Sequence, residues 1–197
     1  MVQEISTRDA FGPATNCVVL LSGGIDSAAC LDFHRRQRFT LSGLHVTYGQ
    51  AGASREEAAA LAIANHYQIP LTLVTLVNAR YKSAGEIQGR NAFLIFTALM
   101  ELGSVIPTIV ALGVHSSTAY YDCSPGFLDS IQAIVDGQCE GCVRVTAPFL
   151  NWTKRDIWDY CVEHRVPVEL TYSCERGLDQ PCGLCLSCGD LEALRAL

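Results

Sequence analysis

The sequence predicts an α/β fold: a parallel five-stranded sheet with helices on both faces, followed by a small metal-binding region at the C-terminal end. Two observations carry this. Short apolar runs of strand length alternate with stretches of helical periodicity from residue 17 to residue 164, which is the pattern of βαβ units. Past Pro167 the alternation stops and cysteines crowd the chain. The boundary separates residues 1–166, the sheet domain, from residues 167–197, the cysteine-rich region.

The first strand is expected over Cys17–Leu21, where Val18-Val19-Leu20-Leu21 is continuously apolar. It runs straight into Ser22-Gly23-Gly24-Ile25-Asp26-Ser27. Glycines let a backbone turn tightly and approach a ligand closely. Ser27 then opens a helix to Arg36, with Ala28, Ala29, Cys30, Leu31 and Phe33 on its apolar positions. Unpaired N–H groups at a helix start, a glycine loop and two hydroxyls together form a cradle suited to phosphate. The plainer alternative is an ordinary strand–turn–helix junction.

Strands follow at Leu41–Thr47, Leu71–Val77, Thr108–Val114 and Val143–Thr146, separated by helices over Arg55–His66, Asn91–Leu102 and Pro125–Asp136. The last helix, Lys154–His164, starts after Thr153, with Asp156 placed to complete a capping box. In such folds the crossovers are right-handed and ligands sit at the carboxyl ends of the strands. The glycine motif stands at such an end.

Composition narrows the function classes. At 197 residues with 49% hydrophobic residues, the chain can bury one substantial core, and no apolar run reaches membrane-spanning length. Met1-Val2-Gln3-Glu4-Ile5 lacks the shape of a secretory signal, which places the expected location in the cytoplasm. A net charge of −6 and a pI near 5.3 argue against a broad nucleic-acid face and for small-molecule or protein partners.

Ten cysteines without an export signal point to metal or catalytic roles rather than disulfides. Cys17, Cys30 and Cys161 sit in apolar segments and read as inert core residues. Four others, Cys174, Cys182, Cys185 and Cys188, have the spacing Cys-x7-Cys-x2-Cys-x2-Cys. Four thiolates at about 2.3 Å from one ion make a closed tetrahedral Zn2+ site of the structural kind. Arg176 stands beside the first of them to offset its charge. A redox-active or partly disulfide-bonded tail and an iron–sulfur cluster are the alternatives.

Ser22–Ser27 resembles the SGGxDS pyrophosphate motif of the N-type ATP pyrophosphatases, Rossmann-like enzymes that adenylate a substrate. Further features resemble the 7-cyano-7-deazaguanine synthase (QueC) family: Tyr48-Gly49-Gln50 at the end of the second strand, Gly89-Arg90-Asn91 at the third helix, and Thr171-Tyr172-Ser173-Cys174 leading into Cys182–Cys188. Weaker echoes are Gly113-Val114, Tyr121-Asp122-Cys123, and Ala147-Pro148 ahead of Lys154. The resemblance implies that ATP activates the carboxylate of 7-carboxy-7-deazaguanine, and that ammonia then leads to the nitrile. It implies ATP binding by Ser22, Gly23, Gly24, Asp26, Ser27, Tyr48, Gln50, Arg90 and Asn91, with Asp26 toward Mg2+, and Asp26, Arg90 and Lys154 as catalytic residues. It also implies a homodimer.

The sequence departs from the family pattern on the acceptor side. Ala51-Gly52 stand where Arg-His usually follows Tyr-Gly-Gln, the segment Asn78–Gln88 is short, Ser124 precedes Pro125 in place of a basic residue, and Leu191 stands near an expected Arg. Such a relative is expected either to make the nitrile, to stop at the amide, or to pass the activated deazaguanine to another amine, one on a protein included. A tRNA-modifying member of the adenylating class and a non-catalytic nucleotide- and zinc-binding subunit are the competing classes.

Other polar residues weigh less. His115 lies just past the fourth strand, with Tyr121 and Asp122 in the next loop. Cys139-Glu140-Gly141-Cys142 is a CxxC without a second pair. His34, His45, His66 and His164 have no ligand spacing, and Trp152 and Trp158 are expected to pack the last helix.

Overall fold

The structure, a computed structural model, describes residues 11, 12, 14–77, 87–103, 107–115 and 120–195. The expected start Met1–Ile5 and positions 78–86 of the Asn78–Gln88 segment lie outside them. Five strands, β1 (Asn16–Leu20), β2 (Thr40–Thr47), β3 (Leu71–Thr75), β4 (Thr108–Ala111) and β5 (Val143–Thr146), form one sheet in the order β3-β2-β1-β4-β5. Every pairing is parallel. The helices are α1 (Ile25–Arg36), α2 (Ala53–Tyr67), α3 (Arg90–Glu101), α4 (Pro125–Cys139), α5 (Lys154–His164) and α6 (Leu186–Arg195), with one-turn helices at Tyr121–Cys123 and Val168–Leu170.

Two cores sandwich the sheet because side chains alternate across a strand. Cys17, Val19 and Leu21 face the layer built by α1, α2 and α5, with Ile63, Phe149 and Ile157. Leu20 faces the opposite layer, where α3 and α4 supply Ile95, Phe127 and Val135. Trp152 and Trp158 pack against the first core, as expected. The buried Asp32 fixes α1 in place by accepting from Tyr160 (2.9 Å), the Arg36 guanidinium (2.6 Å) and Tyr67 (3.4 Å). Cys17, Cys30 and Cys161 are core residues, and burial pushes the thiols of Cys17 and Cys161 up to about 12.

The chain steps outward from β1 through β2 to β3, then returns to place β4 and β5 on the other side. That reversal opens a crevice between the carboxyl ends of β1 and β4, where doubly wound folds bind ligands. Several element limits differ from expectation. The first helix starts at Ile25 rather than Ser27, which brings Asp26 and Ser27 into its first turn. β4 ends at Ala111, because its partner β5 has four residues; only Leu112 adds a bond, its N–H reaching Thr146 (2.8 Å). Gly113–His115 follow it out of the sheet and line the crevice. α6 is an element that the cysteine-rich sequence did not announce. Among the described residues, no helix is long and apolar enough to cross a membrane.

Candidate active site

A cavity of about 640 Å³ occupies the crevice, within the size range of small-molecule sites. The Ser22–Ser27 loop forms its floor. Gly23 has φ +89°, and a side chain there would meet the Glu56 carbonyl oxygen at 2.4 Å, so only glycine fits this turn. Gly24 caps α1 without a side-chain bond, leaving the first N–H groups of the helix to a ligand. The two hydroxyls brace the loop: Ser22 donates to Ser27 (3.1 Å), Ser27 donates to the Gly24 carbonyl (2.9 Å), and the Gly24 N–H donates to Ser22 Oγ (3.3 Å).

Asp26 projects from the first turn of α1. Its Oδ2 accepts from Lys154 Nζ at 2.6 Å and lies 3.7 Å from His115 Nε2. Lys154 reaches it because the Thr153–Asp156 capping box fixes the start of α5: each residue's backbone N–H donates to the other's side chain. Burial pulls His115 below its ordinary value, offset by Asp26 and reinforced by Lys154. Asp26 Oδ1 is buried and has no hydrogen-bond partner.

The second such atom among the described residues is His45 Nε2. His45 is 2% exposed, and its Nδ1–H donates to the Leu21 carbonyl (2.9 Å), the last carbonyl before the glycine loop. In the neutral ring that leaves Nε2 an acceptor. Both Asp26 and His45 line the cavity. Nothing in the spacing of the histidines singled out His45; its burial beneath the loop does.

The remaining expected residues divide by what they touch. Tyr48 and Arg90 line the cavity wall. Gln50 lines it too, but its amide is engaged in the turn after β2, accepting from the Tyr48 N–H (2.8 Å) and donating to the Val46 carbonyl (3.3 Å) and Glu56 (3.0 Å). Asn91 is 3% exposed, and its N–H and side-chain amide both donate to Asp122, at 3.3 and 3.0 Å. That pair anchors the start of α3 to the Tyr121–Cys123 turn. Glu56, Glu175 and Asp190 also border the cavity, as do Leu191 and Leu194 of α6. Of these, the sequence singled out only Leu191, as the residue near an expected Arg.

Cys174, Cys182, Cys185 and Cys188 come together, with all four sulfurs within 4.8 Å of one another. Sulfurs of a tetrahedral Zn–S4 centre stand roughly 3.8 Å apart, and Cys182 and Cys188 are separated by 3.9 Å. The N–H groups of Leu184 (3.4 Å) and Cys185 (3.3 Å) point at Cys182 Sγ and favour its thiolate. Burial would raise Cys174, but N–H groups of Cys182 and Arg176 bring it down to about 6. The donor set fits zinc. Cys139 and Cys142 carry free thiols and, among the described residues, belong to no such cluster.

Comparison with known proteins gives the following. The family model described as queuosine biosynthesis protein QueC matches residues 16–84 and 82–195. The 7-cyano-7-deazaguanine synthase of Haloarcula marismortui is 32% identical over 212 residues, covering 93% of this chain and 91% of its own. That of Prochlorococcus marinus subsp. pastoris is 27% identical over 202 residues, covering 88% and 90%. Among solved structures, a 4-thiouridine synthetase–RNA complex with bound ATP aligns at TM-score 0.54 and 18% identity over 92% of this chain and 50% of that one. A predicted subunit of a tRNA methyltransferase from Methanocaldococcus jannaschii aligns at TM-score 0.52 and 14% identity, covering 76% and 75%. At these identities the two structures share the fold.

Proposed function

The chain belongs to the QueC family of queuosine biosynthesis proteins, and from that membership we propose that it activates the carboxylate of 7-carboxy-7-deazaguanine with ATP and converts it, with ammonia, to 7-cyano-7-deazaguanine. The observation that carries the nucleotide half is the pair of partnerless buried atoms, Asp26 Oδ1 and His45 Nε2, lining one cavity over the glycine loop. A buried polar atom without a partner costs about 1–3 kcal/mol, so a ligand that supplies one is bound the more tightly for it.

A carboxylate is a poor electrophile until its oxygen becomes a good leaving group. The substrate oxygen attacks the α-phosphorus of ATP, pyrophosphate departs, and an acyl adenylate results. Ammonia adds at the carbonyl carbon, AMP leaves with the C–O electrons, and a proton is lost to give the amide. The amide oxygen then attacks the α-phosphorus of a second ATP, pyrophosphate departs, and loss of AMP with the C–O electrons and of the two N–H protons yields the nitrile. Ser22, Gly23, Gly24 and Ser27 hold the pyrophosphate end through N–H groups and hydroxyls. Asp26 would hold Mg2+ through its open oxygen, and the ion, when bound, would supply positive charge at the phosphates. Lys154, already at Asp26, and Arg90 add positive charge at the phosphates. Tyr48 and Gln50 shape the nucleotide wall, and Asn91 contributes by holding the Asp122 loop. Positioning and electrostatics carry most of the rate. Zinc on the four cysteines serves structure, since the site has no open position.

Leu191, apolar on the cavity wall near the place of an expected Arg, favours a second end point: release of the amide, or transfer to another amine. We place the enzyme in the cytoplasm as a homodimer acting on small molecules. The deciding experiment mixes the protein with ATP, Mg2+, 7-carboxy-7-deazaguanine and ammonia and reads products by mass. ATP–pyrophosphate exchange that requires the deazaguanine carboxylate is expected, with nitrile as product. Amide alone selects the second end point. The absence of both AMP and any new deazaguanine product would refute the enzyme reading.

A further inference from the structure

The turn from Tyr172 to Gly177 belongs to two sites at once. Cys174 within it is one of the four sulfur ligands. Its start lies on the phosphate loop: the Tyr172 N–H donates to the Gly23 carbonyl at 2.9 Å. Its end packs backbone to backbone on the turn after β2. Gly177 has φ +67°, and a side chain there would stand 2.0 Å from the Ala51 carbonyl oxygen. A side chain on Gly52 would approach the Cys174 carbonyl to 3.5 Å. Beyond the turn, Asp179 pairs with Arg55 of α2.

The same turn grips α6. Glu175 Oε1 accepts from both the N–H (3.2 Å) and the hydroxyl (2.8 Å) of Ser187, next to the ligand Cys188. α6 in turn walls the cavity with Asp190, Leu191 and Leu194. The four sulfurs therefore tie together two pieces of backbone, one against the floor of the cavity and one along its wall.

We propose that the metal and nucleotide sites are thermodynamically coupled, with Tyr172–Gly177 as the positioning element between them; this rests on the nucleotide reading above. With the sulfurs bound to zinc, the turn is fixed, and the Gly23 carbonyl stays pinned in the geometry that turns the loop's N–H groups toward a phosphate. With the sulfurs released, the turn loses its anchor and the glycine loop recovers conformational freedom. That freedom must then be removed when nucleotide binds. Coupling is reciprocal: whatever factor zinc adds to ATP affinity, ATP adds to zinc retention. A tail that only stabilised its own thirty residues would show no such exchange.

The test uses the zinc-loaded protein. Zinc release to a chromogenic chelator is followed with and without Mg2+-saturated ATP, with Mg2+-saturated GTP as the control for chelation by the nucleotide itself. ATP is expected to lower release about tenfold and GTP to leave it nearly unchanged. Gly177→Val, checked for a full zinc complement, is expected to weaken ATP binding about tenfold by calorimetry and to abolish the protection. ATP binding measured by calorimetry with zinc release unchanged overturns the coupling and leaves the nucleotide site standing. No ATP binding by the unmodified protein overturns both. Because the protection experiment needs no variant, a Gly177→Val protein that fails to fold does not spare the proposal.

Discussion

The two carboxylate oxygens of Asp26 have different surroundings. One is held by Lys154 at 2.6 Å, and the other is buried without a partner. Asp26→Ala is expected to lower ATP–pyrophosphate exchange by about 10²-fold or more, the scale of removing one preorganised electrostatic group. The melting temperature should change little, because Lys154 is partly exposed and can rehydrate. An exchange rate within a few-fold of the parent would remove Asp26 from the mechanism. His34 supplies a different residue-scale prediction. It is 3% exposed, its Nδ1–H donates to the Cys30 carbonyl (2.9 Å), and Thr146 bonds its Nε2 (3.3 Å). Burial lowers its pKa below 6.5, partly offset by the Cys30 bond. The unfolded chain therefore binds more protons than the folded one below pH 6.5, so stability falls as pH drops from about 6.5 toward the lowered value, by at most about 1.4 kcal/mol per pH unit for one group. Urea midpoints measured from pH 7.5 to 5.5 should decline, and His34→Gln should flatten that decline; His115, lowered in the same direction, keeps part of it.

Elements were legible where a local signal decides them and obscure where tertiary contact does. The Thr153–Asp156 box was readable because capping depends on four consecutive residues. All five strands were readable from apolar runs bounded by turns, but their ends were not: β4 stops where β5 runs out of length, a fact about the partner. α6 escaped because Leu186–Arg195 begins among the closely spaced cysteines, with Cys188 and Gly189 inside it. The Ser22–Ser27 loop, the Lys154 helix and the four cysteines were visible as motifs. His45 and Glu56 were not, since they reach the cavity through a buried strand and a helix that the loop happens to cross. Thr153→Ala should cost about 1 kcal/mol of stability, measured by urea unfolding. The same variant should slow exchange, because the box orients the first turn of α5 from which Lys154 reaches Asp26. A stability loss with exchange untouched would mean that Lys154 finds Asp26 without it.

For the molecule as a whole, charge separates the remaining classes of acceptor. The chain carries 14 Lys and Arg against 20 Asp and Glu. Nucleic-acid affinity comes largely from cations that displace counterions along the phosphate backbone. Here the cavity's cations are few: Arg90 lines it, and Lys154 is bonded to Asp26. Glu56, Glu175 and Asp190 add acidic residues to the lining of the same cavity. The likeness to an RNA-bound synthetase covers half of that chain and extends to the fold. The free deazaguanine carboxylate proposed above would need one cation and a partly apolar pocket, and Arg90, Leu112 and Tyr48 line the cavity. Mobility-shift titration with bulk tRNA at about 100 mM salt is therefore expected to show no complex up to about 10 μM protein, within the range of weak non-specific binding. Exchange should proceed at the same rate with and without tRNA. Submicromolar binding that weakens steeply with salt, or exchange that requires tRNA, would move the acceptor from the free base to a nucleic acid and make the acidic rim a feature that some partner must neutralise.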